Sequence, residues 1–384
     1  MAPPIYLDYQ STTPLDERVL KAMMPYLATH FGNPHSATHA YGWTAEAALD
    51  LAREEVAAVI AAKPREIVFT SGATEANNLA IKGVMQALGA KRPKLVTVVT
   101  EHKCVLQSAA ACLRDGYEVE MLPVGSDGLV DPDRLSAVVD ERTALVSVMA
   151  VNNEIGVVQP LAEIGRIARA AGALFHTDAA QAFGKIPLNA EAMNIDLMSI
   201  SGHKIYGPKG VGALYRRDER RVAVRPQMDG GGQEGGLRSG TQPPALVAGL
   251  GRAARLSSDG MSQEAGHLKT LMDRLKTRLR ADIPDMLLNG HETTRWPGNL
   301  NVSFPGLDGD LLLAELRGLA LSSGAACASA VEGPSYVLEA IGRGEAETRA
   351  ALRIGIGRFT TDQDIDTAGN DIVQAVQKLK GLCS

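Results

Sequence analysis

Lys204 lies in the run Ser201-Gly202-His203-Lys204-Ile205-Tyr206-Gly207-Pro208-Lys209-Gly210, directly after the apolar stretch Leu197 to Ile200. A lysine at the end of a buried strand, in a turn too glycine-rich for a plain solvated face, is held partly out of water. Desolvation penalises its ammonium and favours the free amine, which can attack a carbonyl and form a Schiff base. Ser201 and His203 flank it as candidate phosphate ligands. The run superficially resembles a nucleotide-binding P-loop, but Gly207-Pro208-Lys209-Gly210 lacks the Gly-Lys-Ser/Thr that motif needs. Lys209 is the rival amine, and its place beyond Pro208 predicts that it faces solvent.

Two other strand ends carry chemistry. Asp178, in His176-Thr177-Asp178-Ala179-Ala180-Gln181, follows Ala173 to Phe175 among apolar and small residues. An acid there is placed to meet a buried cation such as a protonated pyridine nitrogen, which it would keep an effective electron sink. Gln181 would then reach the ring's phenolic oxygen. An aspartate helix cap beside a core histidine explains the same residues equally well. Ser71-Gly72-Ala73-Thr74-Glu75 follows Ile67 to Thr70 and opens a helix. Its small residues allow backbone N–H groups and a helix N-terminus to approach a phosphate. Taken alone, it reads as an ordinary capped helix start, with Ser71 or Thr74 as the cap.

Of the four cysteines, Cys104 and Cys112 fit packing roles, and Cys383 is a tail residue with no evident role. Cys327 differs. It sits in Leu321-Ser322-Ser323-Gly324-Ala325-Ala326-Cys327-Ala328-Ser329-Ala330, where no large side chain anchors it to a core, so an exposed loop and a nucleophilic thiol are expected. No lysine or arginine lies within several residues to lower its pKa.

These groups need a frame. Short β-branched runs at 67–70, 95–99, 144–151, 174–177, 197–200 and 211–215 alternate with helical patterns, as at Thr44 to Ala62 and Ile164 to Ala171. The alternation predicts a mostly parallel sheet covered by helices, with ligands outside the carboxyl ends of the strands. Gly230 to Gly236 must be a loop. A helix is expected over roughly Pro244 to Leu256, followed by the polar Ser257-Ser258-Asp259-Gly260 and a second, smaller unit. The expected division is 14–256 as a large domain, with 1–13 and 257–384 as a small one carrying the loop at about 321–335. At 384 residues, with 45% hydrophobic and 22% charged residues and a net charge of −5, a soluble two-domain protein is expected. Dispersed basic residues argue against nucleic acid, and apolar runs are too short to span a membrane. A cytoplasmic location follows, with no disulfide framework and no metal-ligand spacing.

In combination, Ser71-Gly72-Ala73-Thr74-Glu75, Glu101-His102-Lys103, Asn152-Asn153-Glu154-Ile155-Gly156, His176 to Gln181, Ser201-Gly202-His203-Lys204 and Arg238-Ser239-Gly240-Thr241 resemble the cysteine desulfurases of the class V aminotransferase family. The resemblance covers nearly the whole chain, from Tyr6-Leu7-Asp8 and Phe31-Gly32-Asn33-Pro34 to Gly357-Arg358-Phe359-Thr360.

What the resemblance implies is specific. The fold would be the α/β fold type I of pyridoxal 5'-phosphate enzymes, with a mainly parallel seven-stranded sheet and a smaller α/β domain. Lys204 would carry the cofactor and shuttle protons, His102 would stack on its ring, Asp178 would pair the ring nitrogen and Gln181 the phenolic oxygen. Ala73, Thr74, Ser201 and His203 would hold the phosphate, and Thr241 would reach the phosphate of a neighbouring subunit in a homodimer. Asn153 and Arg353 would bind the carboxylate of L-cysteine. Cys327 would take its sulfur as a persulfide and pass it on to an acceptor such as an iron–sulfur scaffold, touching any cluster only in passing. Glu332 to Leu338 matches the long-loop branch associated with iron–sulfur assembly. A selenocysteine lyase would share nearly all these residues, whereas a transaminase or lyase without sulfur chemistry would not need Cys327. Three departures stand out. Gln233-Glu234-Gly235-Gly236 replaces the usual His-Glu-Arg-Gly, which removes a charge near the dimer's phosphate site. Gly355 replaces a serine, which is expected to loosen the carboxylate site. The chain also stops at Ser384, short of the extension that docks the scaffold.

Overall fold

The computed structural model describes residues 3–323 and 334–383. Cys327 lies outside them, as does the side chain of Cys383. After a two-residue strand, β1 (Ile5–Tyr6), seven strands build the main sheet: β2 (Ile67–Thr70), β3 (Lys94–Val98), β4 (Glu118–Leu122), β5 (Thr143–Ser147), β6 (Leu174–Asp178), β7 (Leu197–Ser201) and β8 (Gly212–Arg216). Their order is β2-β8-β7-β6-β5-β3-β4, and β8 alone runs against its neighbours. Six of the seven coincide with the expected strands to within a few residues. The seventh, β4, is a polar edge strand whose glutamates hide the apolar pattern.

Helices α1 (Glu17–Ala28), α2 (Ala40–Val59), α3 (Ala73–Leu88), α4 (Lys103–Arg114), α5 (Pro132–Val138) and α6 (Leu161–Ala170) accompany this sheet. Successive strand residues point to opposite faces. Leu95, Leu145, Leu174, Leu197 and Leu214 share one core with Leu79 and Val84 of α3. Val96, Val146, Phe175, Met198 and Ala213 share the other with Val56 of α2. Both faces are dry, so the strands read as unbroken apolar runs.

The helix expected to stop near Leu256 runs on as α7 (Pro244–Asp282), a single helix of 39 residues. Ser257 is buried against Gly184, so packing holds the polar stretch in the helix despite its weak propensity. A four-stranded sheet follows, in the order β12-β13-β10-β9, from β9 (Leu287–Leu288), β10 (Asn299–Ser303), β12 (Ser322–Ser323) and β13 (Ala351–Gly355). The remaining strand, β11 (Leu319–Ala320), pairs in parallel with β1. Helices α8 (Gly309–Glu315), α9 (Tyr336–Ala340), α10 (Glu345–Arg349) and α11 (Asp362–Cys383) complete this half. Among the described residues, no helix is long and apolar enough to cross a membrane, and no cluster of three or more His, Cys, Asp or Glu is placed to hold a metal.

Candidate active site

A cavity of about 680 Å³ opens at the carboxyl ends of β2, β6 and β7. Ala73, Thr74, His102, Asn153, Asp178, Gln181, Ser201, His203 and Lys204 all line it. Three predicted residues do not: Cys327 is outside the described residues, Thr241 is exposed elsewhere, and Arg353 lies behind the wall.

At the phosphate end, Gly72 precedes α3 with φ at +154°, a backbone L side chains rarely adopt. A Cβ on its neighbour Gly212 would lie 2.7 Å from Gly72 Cα, so the turn needs glycine on both sides. The first-turn N–H groups of α3, at Ala73 and Thr74, have no partner within the helix and face an anion's position with the helix dipole behind them. Glu75 takes the Ser71 N–H at 2.8 Å and pairs with Arg238 at 2.7 Å, clamping the turn to the glycine-rich loop. The same loop is fixed by Glu234, buried against Arg53 at 2.8 Å. Gln233 accepts the Gly240 N–H at 2.8 Å. His203 Nδ1 meets Thr12 Oγ1 at 3.1 Å, and burial with the nearby lysines holds its pKa down at about 4, so it is a neutral imidazole.

At the ring end, Asp178 is buried and accepts the Ala180 N–H at 2.9 Å and Asn77 Nδ2 at 2.7 Å. Each carboxylate oxygen keeps capacity for another donor. No helix follows Asp178 directly, so it caps a turn rather than a helix. His176 is indeed a core histidine between Ser147 (2.8 Å) and Ser199 (3.0 Å), pushed down to about 3 by burial, while Asp178 beside it faces the cavity. His102 caps α4, its Nδ1 accepting the Cys104 N–H at 3.2 Å, and burial lowers its pKa. Nδ1 is thereby occupied, which leaves Nε2 as the nitrogen able to exchange a proton. Cys104 is a partial surprise. It packs beside the apolar core but also lines the cavity, 3.0 Å from His102 Nδ1. Burial and the Asp178 charge push its thiol up to about 12, so it stays protonated and inert. Glu101, wholly buried, is raised far above the ordinary carboxyl range by desolvation and by Asp178.

Lys204 Nζ donates to the carbonyls of Gln10 (2.5 Å) and Ser11 (2.6 Å). Lys209 is exposed, as expected, although it sits on the cavity rim. Sequence reasoning missed Gln10, Ser11 and Thr12 as cavity wall. The polar run after Tyr6-Leu7-Asp8 was the available signal. Gln10 also explains Gly355: a Cβ there would fall 1.7 Å from Gln10 Oε1, so glycine makes room for a buried amide that donates to Gly298 O at 2.9 Å.

The carboxylate side is assembled around Arg353 on β13, which is 2% exposed. Its Nη1 donates to Asn153 O (3.2 Å), and its Nη2 to Ser11 Oγ (2.8 Å), Asp8 Oδ1 (2.9 Å) and Ser322 Oγ (3.2 Å). Asn153 Oδ1 is buried without a partner at the cavity. The anion-ready turn, the strand-end acid and the half-buried lysine fit pyridoxal phosphate, and Asn153 Oδ1 still needs a donor, which the amino group of an amino-acid substrate could supply.

The arrangement puts the chain in the fold type I pyridoxal-phosphate class. More narrowly, it belongs to the Aminotransferase class-V family, which it matches over residues 5–367. It is 52% identical to the cysteine desulfurase IscS of Rickettsia rickettsii (strain Iowa) over 379 residues, 99% of this chain and 92% of that protein. The Rickettsia prowazekii (strain Madrid E) protein of the same name is 51% identical with the same coverage. Among solved structures, a NifS-like protein superposes with a TM-score of 0.91 at 36% identity, covering 98% of this chain and all of that one. SspA in complex with cysteine superposes with a TM-score of 0.82 at 37% identity, covering 93% and 99%.

Proposed function

We propose that this protein is a cysteine desulfurase that moves sulfur from L-cysteine to Cys327 and releases L-alanine. The observation that carries the reading is the convergence of Lys204, Asp178, His102 and the α3 N-terminus on one cavity. Pyridoxal phosphate, when bound, supplies an electron sink that stabilises charge at the substrate α-carbon and labilises its β-carbon.

The chain's own residues do the rest. Ala73 and Thr74 N–H groups, with Ser201 and His203, hold the phosphate. Asp178 holds a proton on the ring nitrogen through its carboxylate, and His102 covers the ring face. Lys204, as the free amine, takes the proton from the α-carbon and later returns one. Asn153 and Arg353 fix the substrate carboxylate. The Cys327 thiolate attacks the substrate sulfur, the carbon–sulfur bond breaks with its electrons staying on carbon, and a proton completes alanine. Sulfur leaves on Cys327 as a persulfide for an acceptor protein, an iron–sulfur scaffold being the partner we favour.

We also infer a homodimer. Leu20, Met24, Leu27, Phe31, Tyr41 and Trp43 are exposed near one another in the sequence, and the Phe31 and Tyr41 rings stack at 5.2 Å. His35, in the same segment, bonds Gln242 at 2.7 Å, beside the exposed Thr241. A second copy covering this apolar surface would bring Thr241 toward its partner's phosphate. The division into a domain of 14–256 and another of 1–13 with 257–384 is supported by the β1–β11 pairing. A cytoplasmic location completes the reading. Purified protein given L-cysteine and a reductant should release sulfide and alanine in equal amounts. A keto acid, or alanine without sulfide, would refute it.

A further inference from the structure

Lys185 is absent from the cavity wall and unused by the chemistry above, yet it lies one residue away from it. Its Nζ donates to Gln181 Oε1 at 2.8 Å. Gln181 Nε2 in turn donates to Gln10 O at 2.8 Å, and the same carbonyl accepts Lys204 Nζ at 2.5 Å. A continuous chain of hydrogen bonds therefore joins Lys185 to the amine that carries the cofactor.

Keeping an ammonium there is costly. Among the described residues, no carboxylate lies within ion-pairing distance of it, and its partner is a neutral amide. Lys185 retains some surface of its own, but the surrounding protein desolvates its ammonium and, with the Lys204 charge nearby, holds it down at about 7. An amide needed only for packing would not require such a neighbour.

The polarity of the chain supplies a reason. An ammonium has donors and no lone pair, and a carbonyl has lone pairs and no donor. While Lys185 is protonated, the Gln181 amide between it and Gln10 O has one orientation: oxygen toward Lys185, nitrogen toward Gln10. Its Nε2 carries a second hydrogen beyond the one given to Gln10, and Gln181 lines the cavity. An amide free to turn would offer an acceptor to the cofactor's phenolic oxygen half the time, and two acceptors repel.

We propose that Lys185 is a positioning residue that locks Gln181 as a hydrogen-bond donor toward the phenolic oxygen of the cofactor. The inference rests on pyridoxal phosphate occupying this cavity and goes beyond that reading by naming what orients one of its contacts. Without Lys185, only Gln10 O holds the amide, and Oε1 loses its partner.

The test is a double-mutant cycle on cofactor affinity, read by binding of pyridoxal phosphate to apo-protein. Lys185→Met should weaken binding about tenfold, the effect expected for losing a charge-assisted bond. Lys185→Arg should restore most of that loss. In a Gln181→Ala background, Lys185→Met should change affinity less than about twofold, because there is no amide left to orient. A second readout is the absorption spectrum of the bound cofactor, where Lys185→Met should shift the balance of bands toward the protonated phenol in the Gln181 background alone. Equal weakening in both backgrounds, or no weakening in a variant with unchanged circular dichroism, overturns the proposal. If Lys185→Met does not fold, Lys185→Ala takes its place in the cycle, with Lys185→Arg kept as the rescue. Failure of the wild-type apo-protein to bind pyridoxal phosphate would instead strike the functional reading itself.

Discussion

The two walls of the cavity are built differently. The wall we assign to ring and phosphate comes from strand ends of one sheet, with Asp178 closing β6, Ser201 closing β7, and Lys204 and Ala73 just past β7 and β2. The other wall, where we place the substrate carboxylate, is backed from across the chain: behind Asn153, Arg353 meets Asp8, 345 residues earlier, and Asn153 itself, 200 residues earlier. One wall is fixed by sheet geometry. The other depends on two sheets being held together, so it should tolerate less disturbance and should govern substrate rather than cofactor.

That contrast can be broken first at the cofactor wall. Lys204→Ala should cost about 10²–10⁴-fold in sulfide release, the range for a lost acid–base group, and should abolish covalent retention of the cofactor after borohydride. Peptide mapping of the reduced wild type should find the label on Lys204; a label on Lys185 or Lys209 would misplace the wall. Cys327→Ser should drop sulfide release to background while the cofactor's spectrum still responds to L-cysteine, since those steps belong to the strand-end residues. Mass spectrometry of wild type exposed briefly to cysteine should show one added sulfur on the peptide carrying Cys327. Sulfur found on Cys104 would be unexpected, given its protonated thiol.

At the other wall, Arg353→Ala should raise KM for L-cysteine by an amount equivalent to about 2–5 kcal/mol, the range for stranding a desolvated charge partner. Cofactor content should stay at the wild-type level. Loss of cofactor with KM intact would erase the distinction between the walls. The smallest effect concerns Glu154, buried next to Asn153 and accepting the Ser335 hydroxyl at 2.5 Å. Burial raises its carboxyl to about 7 from an ordinary 4.5, against the opposing pull of Ser335 and Arg353. Between those values the folded state holds a proton the unfolded state has given up. Stability contributed here is therefore greatest below about pH 4.5 and declines until about pH 7. Glu154→Gln should gain Tm relative to wild type as pH rises through that window; a parallel shift at every pH would contradict the assignment.

Much of the first wall was legible because each of its residues follows a strand that announces itself. β5 through β8 are apolar on both faces, and a polar group at such an end has few roles. The second wall was legible only through family motifs. No local pattern places Asp8 or Ser322 beside Arg353, since their meeting depends on β12 pairing with β13 and on β1 joining β11. Edge position concealed β4, and tertiary packing carried α7 through a stretch whose residues favour a turn. Gly355 shows a role no local pattern announces. Beyond any effect at the carboxylate site, it leaves the space that Gln10 occupies, and the Gln10 carbonyl accepts from Lys204.

The unbroken α7 also bears on how the molecule comes apart. At about 1.5 Å per residue its 39 residues make a rod of roughly 58 Å. The first half packs on α1 and α2, and the second on α11, where Arg274 pairs with Asp362 at 3.2 Å. A rod clamped in both halves cannot fray in one without stripping contacts from the other. Heat should therefore melt the two sheets in a single cooperative transition, and Lys204 and Arg353 should lose their places together.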